Sequence, residues 1–154
     1  MQLTSTAFRE GETIPTKHTD DGEDVSPPLR WDGDPQGTNS FALICDDPDA
    51  PRSTPWVHWV VYNLPADARE LPEATPKHES FSTGLRQGKN DFGDIGYGGP
   101  APPRGKPHRY FFKLYALDAK LELPTGATKQ QVEQAMKGHV LAHGQLMGKY
   151  QRGS

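Results

Sequence analysis

Residues 41–51 have the sequence FALICDDPDAP, in which five apolar residues are followed by three carboxylates and two prolines. The apolar run Phe41–Cys45 does not alternate with polar residues, which is typical of a strand that is buried on both faces. Pro48 has no N–H to donate to a sheet, so the strand is expected to stop there. The three aspartates are therefore expected just past the end of a buried strand.

The next apolar segment, Trp56–Asn63, is dense in aromatic and β-branched residues and predicts a second strand. Because side chains alternate along a strand, its even-numbered residues are expected on one face, so that His58 points the same way as Trp56, Val60 and Tyr62. Arg109–Asp118 predicts a third strand, with its even-numbered residues from Tyr110 to Ala116 on one face.

Other parts of the chain give weaker signals. Residues 2–8 alternate enough to suggest a first strand, and Phe81–Gln87 suggests another. Residues 9–39 are polar and broken by four prolines, which indicates a long irregular connection. Trp31 is its one large apolar anchor.

A single helix is predicted, from Thr128 to Lys137. Thr128 with Gln131 forms a plausible capping box, and Gly138 can end the helix in a left-handed turn. Residues 140–150 then alternate with a period of two and predict a last strand. About six strands and one or two short helices predict a mainly all-β domain over residues 1–154, built as a two-sheet antiparallel β-sandwich.

Composition narrows the possible partners and location. The net charge is −3 with acids and bases interleaved, so no basic face is expected for nucleic acid. Cys45 is the only cysteine, which excludes an internal disulfide and fits a reducing compartment. No signal-peptide pattern or membrane-spanning apolar run is seen, so a cytoplasmic protein is expected.

Asp47 and Asp49 flank Pro48 and are expected to project to the same side of an extended segment. Two carboxylates that close repel each other unless a cation, hydrogen-bond donors or a proton separates them. A local Asp-Pro turn, in which the side chains accept nearby backbone N–H groups, is the simpler alternative. A pocket gains support from His58, because strands that follow one another in sequence usually pair.

The segment GYGGPAPPRGK (residues 96–106) resembles phosphate loops only superficially. Pro100 occupies the first glycine position of a P-loop, and Pro107 replaces its Ser or Thr. The prolines also forbid the helix that a dinucleotide-binding motif must open. A stiff glycine- and proline-rich loop remains, which a ligand can approach closely. Its basic neighbours make an anion the natural guest; they are Arg104, Lys106, His108 and Arg109.

Two groups of side chains are candidates for a metal site. His139 and His143 have the spacing of helical metal ligands, but on the predicted strand they lie about 13 Å apart. A second arrangement combines two histidines with one carboxylate and draws on His58, His108, Asp47 and Asp49. His18 and His78 lie in polar stretches and are expected to be solvated.

The sequence contains no assembled catalytic nucleophile. No G-x-S-x-G elbow occurs, and Cys45 lies inside an apolar run where a thiol usually fills the core. No enzyme activity and no cofactor are therefore expected.

Four spaced motifs resemble the signature of the phosphatidylethanolamine-binding protein family: DPDAP at 47–51, WVHW at 56–59, GPAPP at 99–103 and HRY at 108–110. Flanking motifs are similar to its bacterial and archaeal branch, the Raf kinase inhibitor-like proteins: SPPLRW at 26–31, NDFG at 90–93 and GHVLA at 138–142. The likeness runs from about Phe8 to Tyr150.

The resemblance implies a two-sheet β-fold with a small anion pocket that accepts phosphate, acetate or a phosphoethanolamine headgroup. Its walls would be Asp47, Asp49, Pro51, Trp56, His58, Gly99, Pro102, His108 and Tyr110. It also implies phospholipid headgroups and a protease or kinase as possible partners, and a possible homodimer. Ala101 stands where the family often has glycine, which would narrow the pocket floor. Family members carry cis peptides nearby, so at least one of Ala50–Pro51 and Thr54–Pro55 is predicted to be cis.

The favoured hypothesis is a non-enzymatic binding module. Its aspartates would hold the histidines protonated, and the backbone N–H groups of the glycine loop would help to receive an anion. One alternative is an inhibitor that docks loop 99–107 into a protease or kinase. Another is a hydrolase or metal enzyme that uses the Asp/His cluster.

Overall fold

In a computed structural model, which describes residues 1–153, two antiparallel sheets pack against each other and a helix covers one of them. The elements are β1 (Gln2–Thr4), β2 (Leu29–Asp32), β3 (Ser40–Asp47), β4 (Trp56–Pro65), β5 (Glu70–Leu71), β6 (Arg86–Gln87), β7 (His108–Leu117), α1 (Lys129–Met136) and β8 (Val140–Tyr150). A short 3₁₀ turn spans Thr16–His18.

The smaller sheet has the order β1-β2-β5 and the larger one β6-β4-β3-β7-β8. The main core lies between them and contains large side chains from both sheets, among them Trp31, Phe41, Trp59 and Phe112. A second core lies between the larger sheet and α1. The prediction of a mainly β, two-sheet antiparallel fold is confirmed.

The central strand β3 is buried along its whole length. Leu43 and Cys45 face the core between the sheets, while Ala42 and Ile44 face α1. This two-sided burial is what the unbroken apolar run predicted. Burial raises the pKa of the Cys45 thiol well above its ordinary value, so this side chain stays protonated and acts as core filling.

A β-bulge interrupts β4 at His58. Cys45 pairs with Trp59 and Asp46 with Val57, so His58 is an extra residue without its own partner on β3. The extra residue reverses the alternation of the side chains. Trp56 and His58 therefore share a face as predicted, but Val60 and Tyr62 lie in the helix-side core, which corrects the prediction that all four share one face.

Helix α1 begins as its sequence predicts. Thr128 Oγ1 accepts the Gln131 N–H at 3.2 Å, and Gln131 Oε1 accepts the Thr128 N–H at 2.9 Å. Gly138 follows with φ +82°, a left-handed conformation that favours glycine. Strand β8 then runs antiparallel to β7, also as predicted.

Three weaker predictions need correction. The first strand ends at Thr4, because Ser5 Oγ accepts the Ala7 N–H at 3.0 Å and turns the chain. The connection 9–39 contains strand β2, in which Trp31 is buried as expected. Within Phe81–Gln87 only β6 is extended, because the Phe81 N–H bonds Leu85 O and closes a turn.

His18 is buried rather than solvated, with 2% of its surface exposed. Its Nδ1 lies 2.9 Å from Val25 O, a bond that the polar sequence around it did not reveal. None of the helices in residues 1–153 has the length and apolar character needed to cross a membrane.

Candidate binding pocket

A cavity of about 410 Å³ opens at the edge of the larger sheet where β3 ends and β4 and β7 begin. Its lining is Asp47, Ala50, Pro51, Trp56, His58, Phe92, Ala101, Pro102, Pro103, His108 and Tyr110. The volume falls within the range of small-molecule sites, about 300–1,000 Å³. Of the nine residues that the family resemblance implied for the pocket walls, all except Asp49 and Gly99 line the cavity.

An Asp–His pair forms the polar side of the cavity. His108 Nδ1 lies 2.7 Å from Asp47 Oδ2, and both side chains are buried. The carboxylate can only accept, so the ring donates its Nδ1–H and leaves Nε2 for a guest. Asp47 Oδ1 in turn accepts the Asp49 N–H at 2.7 Å, which fixes the carboxylate in place.

His58 forms the second polar wall and is held differently. Its Nδ1 lies 2.6 Å from Gly98 O, so Nδ1 carries the proton and Nε2 faces any guest. Only 3% of the residue is exposed, and this burial lowers its pKa despite the opposing effects of the Gly98 carbonyl and the Asp47 charge. The expectation that the acids keep both histidines protonated is therefore corrected for His58, which is neutral at pH 7.

Aromatic rings surround these polar groups. The Tyr110 ring centroid lies 5.1 Å from that of His58 in a T-shaped arrangement. Phe92 packs edge-on against His58 at 5.5 Å and against Trp56 at 5.4 Å. Phe92 was missing from the sequence-based pocket, although it belongs to the NDFG motif that supported the family resemblance.

Two hydrogen-bond donors in the lining have no partner in residues 1–153. They are the Tyr110 hydroxyl and the Trp56 Nε1–H, and both atoms are buried. Burial, and to a lesser extent the Asp47 charge, raises the pKa of Tyr110, so its hydroxyl keeps its proton. Buried polar atoms are nearly always hydrogen-bonded, so these two donors suit a guest that supplies acceptors.

Asp49 points away from the cavity, contrary to the prediction that it shares a side with Asp47. The turn closed by the Asp47 carboxylate directs Asp49 outward. There it accepts three bonds of 2.9 Å from Arg109, from Nε, Nη2 and the backbone N–H. These bonds from Arg109 lower the pKa of Asp49.

Contrary to expectation, the backbone N–H groups of Gly98 and Gly99 are not free to bind a guest. Gly98 donates to His58 O at 2.9 Å, and Gly99 donates to Asp24 Oδ1 at 2.7 Å. Gly99 packs against the backbone of residues 18 and 19 and does not line the cavity. These N–H groups are occupied because they hold the segment against the rest of the protein, through hydrogen bonds to His58 and Asp24.

The prediction of a cis peptide bond is wrong, since both Ala50–Pro51 and Thr54–Pro55 are trans. The chain reverses here through a three-residue turn in which the Arg52 N–H donates to Ala50 O at 2.7 Å. Such a turn accepts the φ of a trans proline at its centre. Arg52 stacks 4.5 Å above the Trp56 ring and pairs with Asp91.

The residues proposed as metal ligands do not form a metal site, although Asp47, His58 and His108 line the same cavity. No group of three or more His, Cys, Asp or Glu side chains in the described chain, residues 1–153, is arranged to hold a metal ion. His139 instead pairs with Asp118 at 2.7 Å, and His143 lies beside Tyr115.

The fold and the cavity together define a small β-sandwich protein with a pocket at one edge of its larger sheet. A family model described as phosphatidylethanolamine-binding protein matches residues 4–151. The chain belongs to this family.

Similar proteins occur in archaea and bacteria. A UPF0098 protein of Methanothermobacter thermautotrophicus is 52% identical over 153 residues, which cover 99% of this chain and 100% of that one. The UPF0098 protein YbhB of Escherichia coli is 42% identical over 149 residues, 92% of this chain and 94% of its own.

Solved structures agree with this assignment. A phosphatidylethanolamine-binding protein homologue of Chlamydia trachomatis superposes with a TM-score of 0.89 at 42% identity, covering 98% of this chain and 97% of the other. Escherichia coli YbcL, described as a member of the mammalian family, gives 0.91 at 37% identity, with 98% of each chain covered. A carboxypeptidase Y inhibitor in complex with its proteinase gives 0.55 at 21% identity, covering 92% and 76%, and shares the fold.

Proposed function

We propose that this protein is a non-enzymatic binding module whose pocket takes a small anion, namely a phosphate, a carboxylate or a phosphoethanolamine-like headgroup. The observation that carries the proposal is the pair of buried, unpartnered donors on Tyr110 and Trp56. They line the same cavity as two histidines whose Nδ1 atoms are already fixed. A guest that accepts hydrogen bonds would satisfy both of these donors.

The histidines set the charge state of the complex. A neutral imidazole with its proton on Nδ1 presents a lone pair at Nε2, which repels an anion. Anion binding is therefore coupled to the uptake of a proton at a pocket histidine. The Asp47 carboxylate holds the His108 ring through its Nδ1–H and leaves Nε2 toward the guest.

The lining favours recognition over chemistry. Its eleven residues include no Ser, Thr or Cys that the Asp47–His108 pair would activate. The remaining walls are proline, alanine and aromatic side chains, which suit the uncharged part of an esterified phosphate or an organic acid.

Calorimetric titration of the protein with phosphoethanolamine and with acetate tests the proposal. His108→Ala removes a charge-assisted hydrogen bond and is expected to weaken binding roughly 10-fold or more. Tyr110→Phe removes one neutral donor and is expected to cause a smaller loss. His139→Ala is the matched control, because His139 pairs with Asp118 at the same 2.7 Å distance outside the pocket. No binding of either anion by the wild type would refute the proposal.

A second candidate function is inhibition of a protease or kinase through loop 99–107. Residues 103, 104, 106 and 107 of this loop are exposed. The loop is tied down at Gly105, whose N–H donates to Gly153 O at 2.8 Å and whose carbonyl accepts Gln151 Nε2 at 2.6 Å. An exposed loop held in one conformation loses little entropy on docking, which suits an inhibitor.

This second function and anion binding are separable. Inhibition that persists in His58→Ala but disappears when residues 103–107 are replaced by a glycine-serine linker supports the loop. Inhibition that follows the loss of anion binding assigns the effect to the pocket instead.

A further inference from the structure

A second recess of about 470 Å³ adjoins the pocket on the outer side of His108. Its lining consists of Asp49, Lys106, Pro107, His108, Arg109 and Lys149. His108 lines both cavities, so its ring is a wall that they share. A molecule seated in the pocket is therefore next to this recess.

The recess is cationic because its single carboxylate is already neutralised. Asp49 is held by Arg109 through two side-chain bonds of 2.9 Å. In the part of the chain that the structure describes, neither Lys106 nor Lys149 forms an ion pair with a carboxylate. Two lysine charges thus remain without compensation beside the pocket.

This arrangement has an energetic cost in the empty protein. Arg109 and Lys149 lie directly opposite each other on β7 and β8. Like charges at opposed positions of an antiparallel pair destabilise a sheet, an effect that the Asp49 carboxylate on Arg109 reduces. Lys106 adds a second lysine charge, and it lies between Gly105 and Pro107 in an irregular segment whose conformation Pro107 restricts. An anionic group in the recess would lower the remaining cost.

From this geometry we propose that the ligand carries two anionic groups: a phosphate ester in the pocket and a neighbouring carboxylate or second phosphate on Lys106 and Lys149. The inference rests on the proposed anion-binding function and adds the class of ligand. The Asp47-Pro48-Asp49 segment separates the two subsites, since Asp47 supports His108 inside the pocket and Asp49 holds Arg109 in the recess.

Phosphoserine and phosphoethanolamine form a matched pair of probes, because they differ by one carboxylate. The wild-type protein is expected to bind phosphoserine roughly 5- to 10-fold more tightly at low ionic strength, as two exposed ion pairs permit. The preference is expected to shrink as salt is added. In the double variant Lys106→Gln, Lys149→Gln the two affinities become equal, while that for phosphoethanolamine changes less than about twofold.

Lys120→Gln, Lys137→Gln is the control, since it removes the same charge near the opposite end of β7 and is expected to keep the preference. Equal affinities in the wild type, or a preference that survives in the Lys106 and Lys149 variant, would overturn the inference while leaving the proposed function intact. Binding of neither probe would overturn the inference, and the proposed function would be refuted as well only if acetate also failed to bind.

The same chemistry occurs in a free ester and in a lipid headgroup. Cosedimentation with phosphatidylserine vesicles, compared with phosphatidylethanolamine vesicles, separates these sources. If the protein sediments with phosphatidylserine vesicles and free phosphoserine releases it, the subsite binds a lipid headgroup. If the protein binds phosphoserine in solution but does not sediment with the vesicles, the subsite binds a free ester.

Discussion

Three carboxylates within four residues occupy three different environments. Asp46 is 1% exposed and lies on the helix side of β3, 3.2 Å from Lys113 Nζ and 2.7 Å from Lys129 Nζ. Asp47 faces the pocket and pairs with His108, and Asp49 faces solvent and pairs with Arg109. Their neighbours, rather than their type, decide what each one does.

Asp46 and Asp49 are expected to differ in their contribution to stability. Asp46→Asn leaves two lysines beside a buried neutral group and should lower the free energy of unfolding by about 2–3 kcal/mol, somewhat less than the loss of a fully buried pair because both lysines reach water. Asp49→Asn should have a much smaller effect, because its ion pair is open to solvent and is screened. Urea unfolding of both variants measures the difference, and equal losses would contradict it.

His58 makes stability depend on pH in a predictable direction. Burial lowers its pKa in the folded protein, so below about pH 6.5 the unfolded chain binds a proton that the native protein excludes. The stability that His58 contributes is therefore present above that pH and is lost as the pH falls from there toward the folded pKa. Thermal unfolding between pH 7.5 and 5.5 should show a larger drop for wild type than for His58→Gln. Parallel curves would show that His58 does not exclude the proton.

At the scale of elements, the segment Gly98-Gly99 fastens the pocket wall to the rest of the molecule. A Cβ on Gly99 would collide with the backbone oxygen of His18, which has no room to move. A Cβ on Gly98 would lie 2.6 Å from the ring of Phe92, a side chain that is 43% exposed and can shift.

Alanine substitutions separate these two close contacts. Gly99→Ala should destabilise the protein by about 2–3 kcal/mol or more, because overpacking against backbone cannot relax easily. Gly98→Ala should cost less in stability but weaken anion binding, because the Phe92 ring that it displaces is part of the pocket. Unfolding and calorimetry on the same samples distinguish the effects, and a reversed order of stability would contradict this assignment.

The elements that the sequence predicted well are those whose cause is local. An unbroken apolar run marked β3, and the Thr128–Gln131 capping box marked the start of α1. The features it missed depend on distant partners. The bulge at His58 arises from how β4 registers against β3, and Asp49 turns outward because Arg109 is 60 residues away in sequence. Likewise, nothing in the sequence around Gly99 indicates that the Asp24 carboxylate accepts a hydrogen bond from the Gly99 N–H.

The family resemblance supplied what periodicity did not. Seven of the nine residues that it implied line the cavity, because its motifs come from separate parts of the chain that meet at one sheet edge. It also suggested a cis peptide that this chain replaces with a turn around Pro51.

At the scale of the whole molecule, the charge is unevenly spread although the net value is only −3. Lys106, Arg109 and Lys149 line the recess on one side of the pocket. On the other side of the glycine segment, a separate recess is lined by three aspartates and one cation, Lys77; the aspartates are Asp20, Asp24 and Asp94. This polarity should orient an approaching anion toward the pocket more than the net charge suggests.

If the pocket binds an anion as proposed, ligand binding and folding are linked through the same histidines, which gives a prediction for the whole protein. A ligand that binds only the native state at 100 times its Kd adds about 2.7 kcal/mol of stability. For a domain of this size that amounts to a rise in Tm of roughly 5–10 °C. Acetate is a suitable probe, because a simple carboxylate stays ionised between pH 6 and pH 8.

If anion binding requires a proton on a pocket histidine, acetate should raise Tm more at pH 6 than at pH 8, measured against chloride at equal ionic strength. His108→Ala should lose most of the rise at both values, and His139→Ala should keep it. Titrations in two buffers with different ionisation enthalpies should show a proton taken up on binding. A rise in Tm that does not change with pH would mean that Tyr110 and Trp56 alone hold the anion, since their N–H and O–H donors do not titrate in this range.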